Sequence, residues 1–298
     1  MGGGETLRND VPPEDYVNSG HNACPGCGAA HTYRYVLKAL GPRTILTVSA
    51  SCSSAIAGAF PTRALHVPVY HTAFAAAAST ASGIRAALDV VGDTETNVVA
   101  WAGDGGTFDI GLQSLSAAAE RNERIIYVCY DNEAYMMTGI QRSSATPPRT
   151  WTMTTPLGLL KDEPKKNIVE IMAAHRVPYA ATATTAYPED LIAKLIEARK
   201  APGMAFIHVL SPCPTGWRLP AELSIKASRL AVQSKFFPLY EVRYGTQYRL
   251  TVAPKGVPVR EYLRIQGRYS HLSDDDYARA QAEVDAEWEQ LLKRVGSS

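Results

Sequence analysis

Val98-Val99-Ala100-Trp101-Ala102-Gly103-Asp104-Gly105-Gly106 decides how this chain is read. An apolar run ends abruptly in a glycine-rich turn. Ile110, Leu112, Leu115 and Ala118 then recur at helical spacing up to the polar stop Arg121-Asn122-Glu123. A second apolar run, Ile125-Ile126-Tyr127-Val128-Cys129-Tyr130, ends in Asp131-Asn132. Strand, glycine turn, helix and strand in so short a span make the parallel crossover unit. The expected fold is therefore α/β, a mostly parallel sheet with helices on both faces.

Glycines at the end of a buried strand let the backbone approach a ligand and present N–H groups to it, and the following helix adds the positive end of its dipole. A dinucleotide site would place Gly-x-Gly-x-x-Gly here. This chain instead sets a carboxylate, Asp104, between two glycines, and a second hard oxygen ligand, Asn132, about 28 residues on at the end of the next strand. Oxygen ligands at neighbouring strand ends, beside a phosphate cradle, suit Mg²⁺ bridging a diphosphate. Gly-Asp-Gly followed at that distance by Asn resembles the thiamine diphosphate motif; the plainer alternative is a structural βα turn.

Composition narrows the class. The chain has 298 residues, 46% of them hydrophobic, with a formal net charge of +1. That balance gives no electrostatic case for nucleic acid or an acidic membrane, and no apolar run is long enough to span a bilayer. The start, Met1-Gly2-Gly3-Gly4-Glu5-Thr6, lacks the charged-then-apolar pattern of a secretory leader. Gly2 and Thr6 fit the loose myristoylation pattern, but a flexible leader is the simpler reading. The expected location is cytoplasmic. An odd count of five cysteines argues against a disulfide framework and for metal or catalysis.

In order, residues 1–20 read as a polar arm, 21–220 as an α/β domain, and 221–298 as a C-terminal extension with a hairpin and a terminal helix. A helix is expected from His31 to Leu40 and a strand from Thr44 to Ser49. The alanine-rich stretch from Phe74 to Val90 reads as a helix packed closely on the sheet. Ala134 to Thr155 shows no clear period, and a loop of that length inside a domain is usually functional. Helices at Asn167–His175 and Pro188–Arg199 alternate with strands at Tyr179–Ala183 and Ala205–Leu210. Runs at Tyr240–Tyr244 and Tyr248–Val252 alternate like a hairpin, and Ser273 caps a last helix carrying Val284, Trp288, Leu291 and Leu292.

Cys24, Cys27, Cys52 and Cys213 all fall in turns or just past strand ends, whereas Cys129 lies within an apolar strand as a small hydrophobe. Carboxyl ends of parallel strands share one edge, where ligands collect. Four thiolates there suit either structural zinc or a [4Fe–4S] cluster, although the remoteness of Cys213 disfavours a compact zinc ribbon. A cluster beside thiamine diphosphate makes chemical sense, because electrons released by decarboxylating a 2-oxo acid can be taken singly by a nearby carrier.

Together, Cys24-Pro-Gly-Cys27-Gly, Cys52, Gly103-Asp-Gly-Gly-Thr107, Asp131-Asn-Glu-Ala-Tyr135, Thr138-Gly-Ile-Gln-Arg-Ser143 and Pro212-Cys-Pro-Thr-Gly-Trp217 resemble the β subunit of pyruvate:ferredoxin oxidoreductase and its 2-oxoacid:ferredoxin relatives. The resemblance runs from Cys24 to about Tyr240 and implies a thiamine diphosphate-binding fold. It implies that Cys24, Cys27, Cys52 and Cys213 ligate a [4Fe–4S] cluster. Asp104, Asn132 and the carbonyl of Ala134 would hold Mg²⁺, with Gly103, Gly105, Gly106, Thr107 and Tyr135 around the cofactor. Coenzyme A would be the co-substrate, making the reaction an oxidative, CoA-acylating decarboxylation. The activating glutamate and the arginine for the substrate carboxylate would come from a partner α subunit, with γ and ferredoxin-like δ subunits completing the complex. A ferredoxin or flavoprotein would be the acceptor.

Two departures from those relatives bear on the substrate. Met137 stands where they usually carry Asn, and Ala75 and Ala76 follow Phe74 where an acidic or amide pair is common. The pocket expected from Phe74, Met137 and Thr138 is thus more apolar than pyruvate requires, pointing to a branched or aromatic 2-oxo acid such as phenylglyoxylate. The alternatives are pyruvate itself, a non-redox thiamine decarboxylase or synthase, or a zinc assembly protein.

Overall fold

The computed structural model describes residues 11–296. Met1 to Asp10, which include Gly2, Thr6 and half of the expected N-terminal arm, lie outside the described residues. In chain order the elements begin with α1 (Gly28–Leu40), β1 (Thr44–Ser49), α2 (Cys52–Ala57), β2 (Val69–Thr72), α3 (Ala77–Val90) and β3 (Asn97–Gly103). A wide π-type turn (Gly105–Asp109) leads to α4 (Leu112–Glu120) and β4 (Ile126–Asp131). After a long loop come α5 (Ile168–Ala174), β5 (Tyr179–Thr184), α6 (Pro188–Lys200), β6 (Ala205–Leu210) and the single turn α7 (Pro214–Trp217). The chain finishes with α8 (Ser224–Gln233), the hairpin β7 (Tyr240–Arg243) and β8 (Gln247–Leu250), α9 (Val259–Leu263) and α10 (Asp274–Gly296).

Among the described residues, the eight strands join one sheet in the order β2-β1-β3-β4-β6-β5-β7-β8. The first six run parallel, and β7 and β8 close the edge antiparallel. Alternation along each strand explains the two layers of helices. Val99 and Trp101 face a core shared with Tyr33, Val36 and Leu37 of α1 and Leu191 and Leu195 of α6. Val98, Ala100 and Ala102 face the other core, made with Ala78 and Ala81 of α3, Leu115 of α4 and Met172 of α5. Both faces being covered, the central strands need apolar residues at nearly every position, which is what the sequence provides. The stretch beyond residue 220, set apart by its composition, contributes β7 and β8 to this same sheet.

The expected strands and helices of the central unit are found, with ends shifted by a few residues. α1 starts at Gly28 rather than His31, because Cys27 already serves as its N-cap residue. The edge strand β2 and the helices α8 and α9 were not foreseen. Of the arm, Pro12, Pro13 and Glu14 lie on α1, their carbonyls accepting from Lys38 Nζ at 2.8, 3.1 and 2.8 Å. Among the described residues no helix is long and apolar enough to cross a membrane.

The order β2-β1-β3 positions the site. From β1 the chain moves outward to β2 and then returns to the other side of β1 as β3. Crossovers on opposite sides leave a crevice at the carboxyl ends of β1 and β3, the usual place for a ligand in an open parallel sheet.

Candidate cofactor site

A cleft of about 270 Å³ opens at that crevice, lined by Ser51 and Cys52 after β1, Gly103, Asp104, Gly105 and Gly106 after β3, and Asn132, Ala134 and Tyr135 after β4. Phe74, Met137 and Thr138 complete its wall. A wider cleft of about 440 Å³ lies between Asn167 and Trp288, but it holds none of these glycines or ligands. Thr107 departs from expectation in its side chain. Its hydroxyl turns away from the cleft, donating to Gly103 O at 2.7 Å and lying 3.1 Å from Tyr127 Oη. Ala75 and Ala76 do not line the cleft, whereas Met137 does and is largely exposed at its rim.

Gly105 is a steric requirement. A Cβ there would lie 2.2 Å from Cε1 of Tyr135. That ring is held in turn by its hydroxyl, which donates to Asp109 Oδ2 at 2.7 Å. The glycine lets the aromatic ring close over the strand end.

The oxygen ligands expected for Mg²⁺ converge. The Asn132 amide lies 3.0 Å from Asp104 Oδ1 and 2.9 Å from the Ala134 carbonyl oxygen. With its oxygen turned inward, three acceptors meet with no donor between them; with its nitrogen turned inward, it bridges the other two. Three hard oxygens that can meet at one point are what a small divalent cation requires, so these residues fit the group. Asp104 is buried, and Ser143 Oγ donates to its Oδ2 at 2.5 Å. Burial, then the nearby Asp131 charge, hold the Asp104 carboxyl well above the usual carboxylate range. A divalent cation would remove that penalty by supplying the missing positive charge.

Behind these ligands runs an ionic network that sequence reasoning missed. Lys165 Nζ lies 2.5 Å from Asp131 Oδ2 and 2.9 Å from Glu133 Oε1, and His208 Nε2 lies 2.7 Å from Asp131 Oδ2. Burial alone would raise the Asp131 pKa, but Lys165 and His208 bring it to about 2. Ser143 belongs to a motif already quoted; Lys165 and His208 carried no local signal.

The long loop is irregular yet largely buried between Ser143 and Thr152. Its hydroxyls make that possible by satisfying backbone groups that would otherwise be stranded. Ser143 N donates to Thr146 Oγ1 at 3.0 Å, Thr155 N to Thr152 Oγ1 at 3.1 Å, and Thr146 Oγ1 to Glu133 O at 2.7 Å.

The cysteines occupy different settings. Cys129 is fully buried in β4, while Cys24 is exposed and Cys27, Cys52 and Cys213 are half-buried. Cys27 caps α1, Cys52 opens α2, and Cys213 caps α7 and accepts from Gly216 N at 3.4 Å. The Cys27 and Cys213 turns are tied by Gly28 N donating to Pro212 O at 3.0 Å. Burial, then the Cys213, Cys27 and Cys24 thiols, push Cys52 up to about 12. The four thiols therefore share one neighbourhood, although among the described residues no three His, Cys, Asp or Glu side chains converge as a single-ion site.

The fold and the strand-end cleft define a class, and the comparisons agree. Residues 49–209 match the family model described as thiamine pyrophosphate enzyme, C-terminal TPP binding domain. The chain is 49% identical over 297 residues to ketoisovalerate oxidoreductase subunit VorB of Pyrococcus horikoshii, covering 96% of this chain and 95% of that protein. It is 48% identical to pyruvate synthase subunit PorB of Methanocaldococcus jannaschii over 92% of this chain and 95% of that one. A solved 2-oxoglutarate:ferredoxin oxidoreductase from Magnetococcus marinus shares the fold, with a TM-score of 0.62 at 22% identity over 93% of this chain and 98% of the other. The chain belongs to the 2-oxoacid:ferredoxin oxidoreductase family, as its thiamine diphosphate-binding subunit type.

Proposed function

We propose that this chain is the thiamine diphosphate- and [4Fe–4S]-binding subunit of a complex that oxidatively decarboxylates a 2-oxo acid onto coenzyme A. Thiamine diphosphate, when bound, supplies a nucleophilic carbon that takes up the 2-oxo acid and retains the electron pair as CO₂ leaves. The chain's own residues bind and orient. Asp104, Asn132 and the Ala134 carbonyl would hold Mg²⁺, the Gly103–Gly106 turn would receive the diphosphate, and Tyr135 would close over it. Cys24, Cys27, Cys52 and Cys213 would hold the cluster, which supplies one-electron acceptance. The observation that carries this reading is Cys52 lining the same cleft as Asp104 and Asn132, with three further thiols close by. The distance in sequence of Cys213 from the Cys24–Cys27 pair disfavours a compact zinc ribbon and supports the cluster reading.

The substrate we propose is bulkier than pyruvate, branched or aromatic. Phe74, Met136 and Met137 give the cleft a largely apolar wall, and relatives at nearly equal identity are named for ketoisovalerate and for pyruvate. The activating glutamate, the carboxylate-binding arginine and the ferredoxin-like clusters are assigned to partner α, γ and δ subunits, and the site to the cytoplasm. Iron and acid-labile sulfide in the purified complex test the assignment. Both should survive Cys129→Ala and fall with Cys213→Ala. A full [4Fe–4S] complement in the Cys213→Ala complex would overturn it.

A further inference from the structure

Glu133 sits between two of the residues assigned to Mg²⁺, Asn132 and Ala134, and its backbone adopts a positive φ of 68°. That conformation is uncommon for a non-glycine residue, and here the residue is buried. Its backbone is held by Asp131 Oδ1, which accepts from Glu133 N at 2.8 Å, and by Thr146 Oγ1, which donates to Glu133 O at 2.7 Å, while its side chain is held from distant parts of the chain. Arg268, buried in the turn after α9, places a guanidinium nitrogen 2.6 Å from Glu133 Oε2 and is itself oriented by Gln266 Oε1 at 2.9 and 2.7 Å. The same guanidinium lies over the Trp217 ring, 4.1 Å from its centre. Trp217 Nε1 in turn donates to the Asn132 carbonyl at 2.8 Å. Trp217 closes the turn that Cys213 caps. That turn also meets the metal loop directly, because a Cβ at Gly216 would lie 2.1 Å from the Met136 sulfur.

We infer that Arg268 is a positioning residue for the divalent cation, acting through Glu133 and Trp217 to fix the Asn132–Ala134 turn, and that with Trp217 it ties this turn to the one carrying Cys213. The inference rests on the assignment of Asp104, Asn132 and Ala134 to Mg²⁺ made above. Its physical basis is specific to arginine. A planar guanidinium can stack on an indole and present a donor edge to a carboxylate at once, whereas a lysine ammonium cannot do both in that geometry. The Glu133 carboxylate keeps its second oxygen for Lys165, so the turn is pinned from both sides.

The test uses the assembled complex freed of thiamine diphosphate and Mg²⁺, with calorimetric thiamine diphosphate binding followed as Mg²⁺ is titrated. Arg268→Met should raise the Mg²⁺ concentration for half-maximal binding about tenfold. Affinity at saturating Mg²⁺ should stay within about threefold of wild type, and iron content should not change. General loosening of the fold would lower binding at every Mg²⁺ concentration. Arg268→Lys should rescue only partly. Arg268→Met with Glu133→Gln strands no buried carboxylate and should keep the raised Mg²⁺ requirement. Trp217→Phe, which removes the donor to Asn132 O and narrows the ring under Arg268, should raise it by at least about threefold. An unchanged Mg²⁺ midpoint in assembled Arg268→Met, or in Trp217→Phe where the first variant fails to assemble, overturns the inference. Binding in wild type that ignores Mg²⁺, or that survives Asp104→Ala, instead overturns the metal assignment beneath it.

Discussion

Replacing Gly105 with alanine should disable cofactor binding by a route that can be followed atom by atom. The new methyl would lie 2.2 Å from Cε1, 2.5 Å from Cδ1 and 2.9 Å from Cζ of Tyr135. Ordinary carbon–carbon contact is ~3.7 Å, so the ring has to retreat by about 1.5 Å. Its anchor, the 2.7 Å hydrogen bond to Asp109, does not survive such a shift. A hydrogen bond to a charged group is worth ~1.5–3 kcal/mol, and an overpacked methyl costs ~1–3 kcal/mol where no space exists. Much of this is relieved when the ring swings into the cleft that it lines, and it returns when the cofactor displaces the ring. Thiamine diphosphate affinity should therefore fall ten- to hundredfold, or ~1.4–2.8 kcal/mol, in calorimetry on the assembled complex with Mg²⁺ saturating. In a Tyr135→Leu background the same methyl meets a smaller, flexible side chain, so the added loss should be less than about threefold. Affinity for Gly105→Ala within twofold of wild type would refute the reasoning, as would an equal loss in the Leu background.

Two further outcomes follow from the same geometry. Lys161 is buried with its ammonium donating to Thr146 O at 2.6 Å, and burial lowers its pKa from 10.5 to about 8. Because the folded value is below the unfolded one, the unfolded chain binds more protons between about pH 8 and 10.5, and this group adds to stability as pH rises through that window. Relative to wild type, Lys161→Met should thus fare better at pH 7 than at pH 10.5; equal thermal shifts at both would contradict the buried cation. For the substrate, kcat/KM of the intact complex should favour 2-oxoisovalerate or phenylglyoxylate over pyruvate, and Met137→Asn should narrow the gap. Clear preference for pyruvate in wild type would end that reading.

What was legible in the sequence was local. Thr44–Ser49 is rich in β-branched residues and Ala205–Leu210 is a mostly apolar run, and both strands lie where the pattern put them. Asp104 and Asn132 could be paired from sequence because one crossover unit fixes their distance. β2 was missed because Tyr70 and His71 face solvent at the sheet edge, so the strand exists by pairing with β1 rather than by its own pattern. Arg268 and Glu133 meet across 135 residues. Nothing in either neighbourhood marks them, since a lone arginine reads as surface charge until the fold buries it. Thr107 shows the limit within a motif: the residue was legible, but its hydroxyl's inward turn toward Gly103 and Tyr127 depended on a neighbour from the next strand.

The most direct test of the account is whether decarboxylation at the Asp104 site reaches the cysteine-held cluster. The anaerobic complex is mixed with one equivalent of 2-oxo acid, without an external acceptor, and the cluster's visible absorption is followed. Wild type is expected to bleach, and to show the EPR signal of a reduced [4Fe–4S] cluster, while Asp104→Ala retains its iron but does not respond. A wild-type complex that releases CO₂ with its cluster unchanged would contradict the central claim.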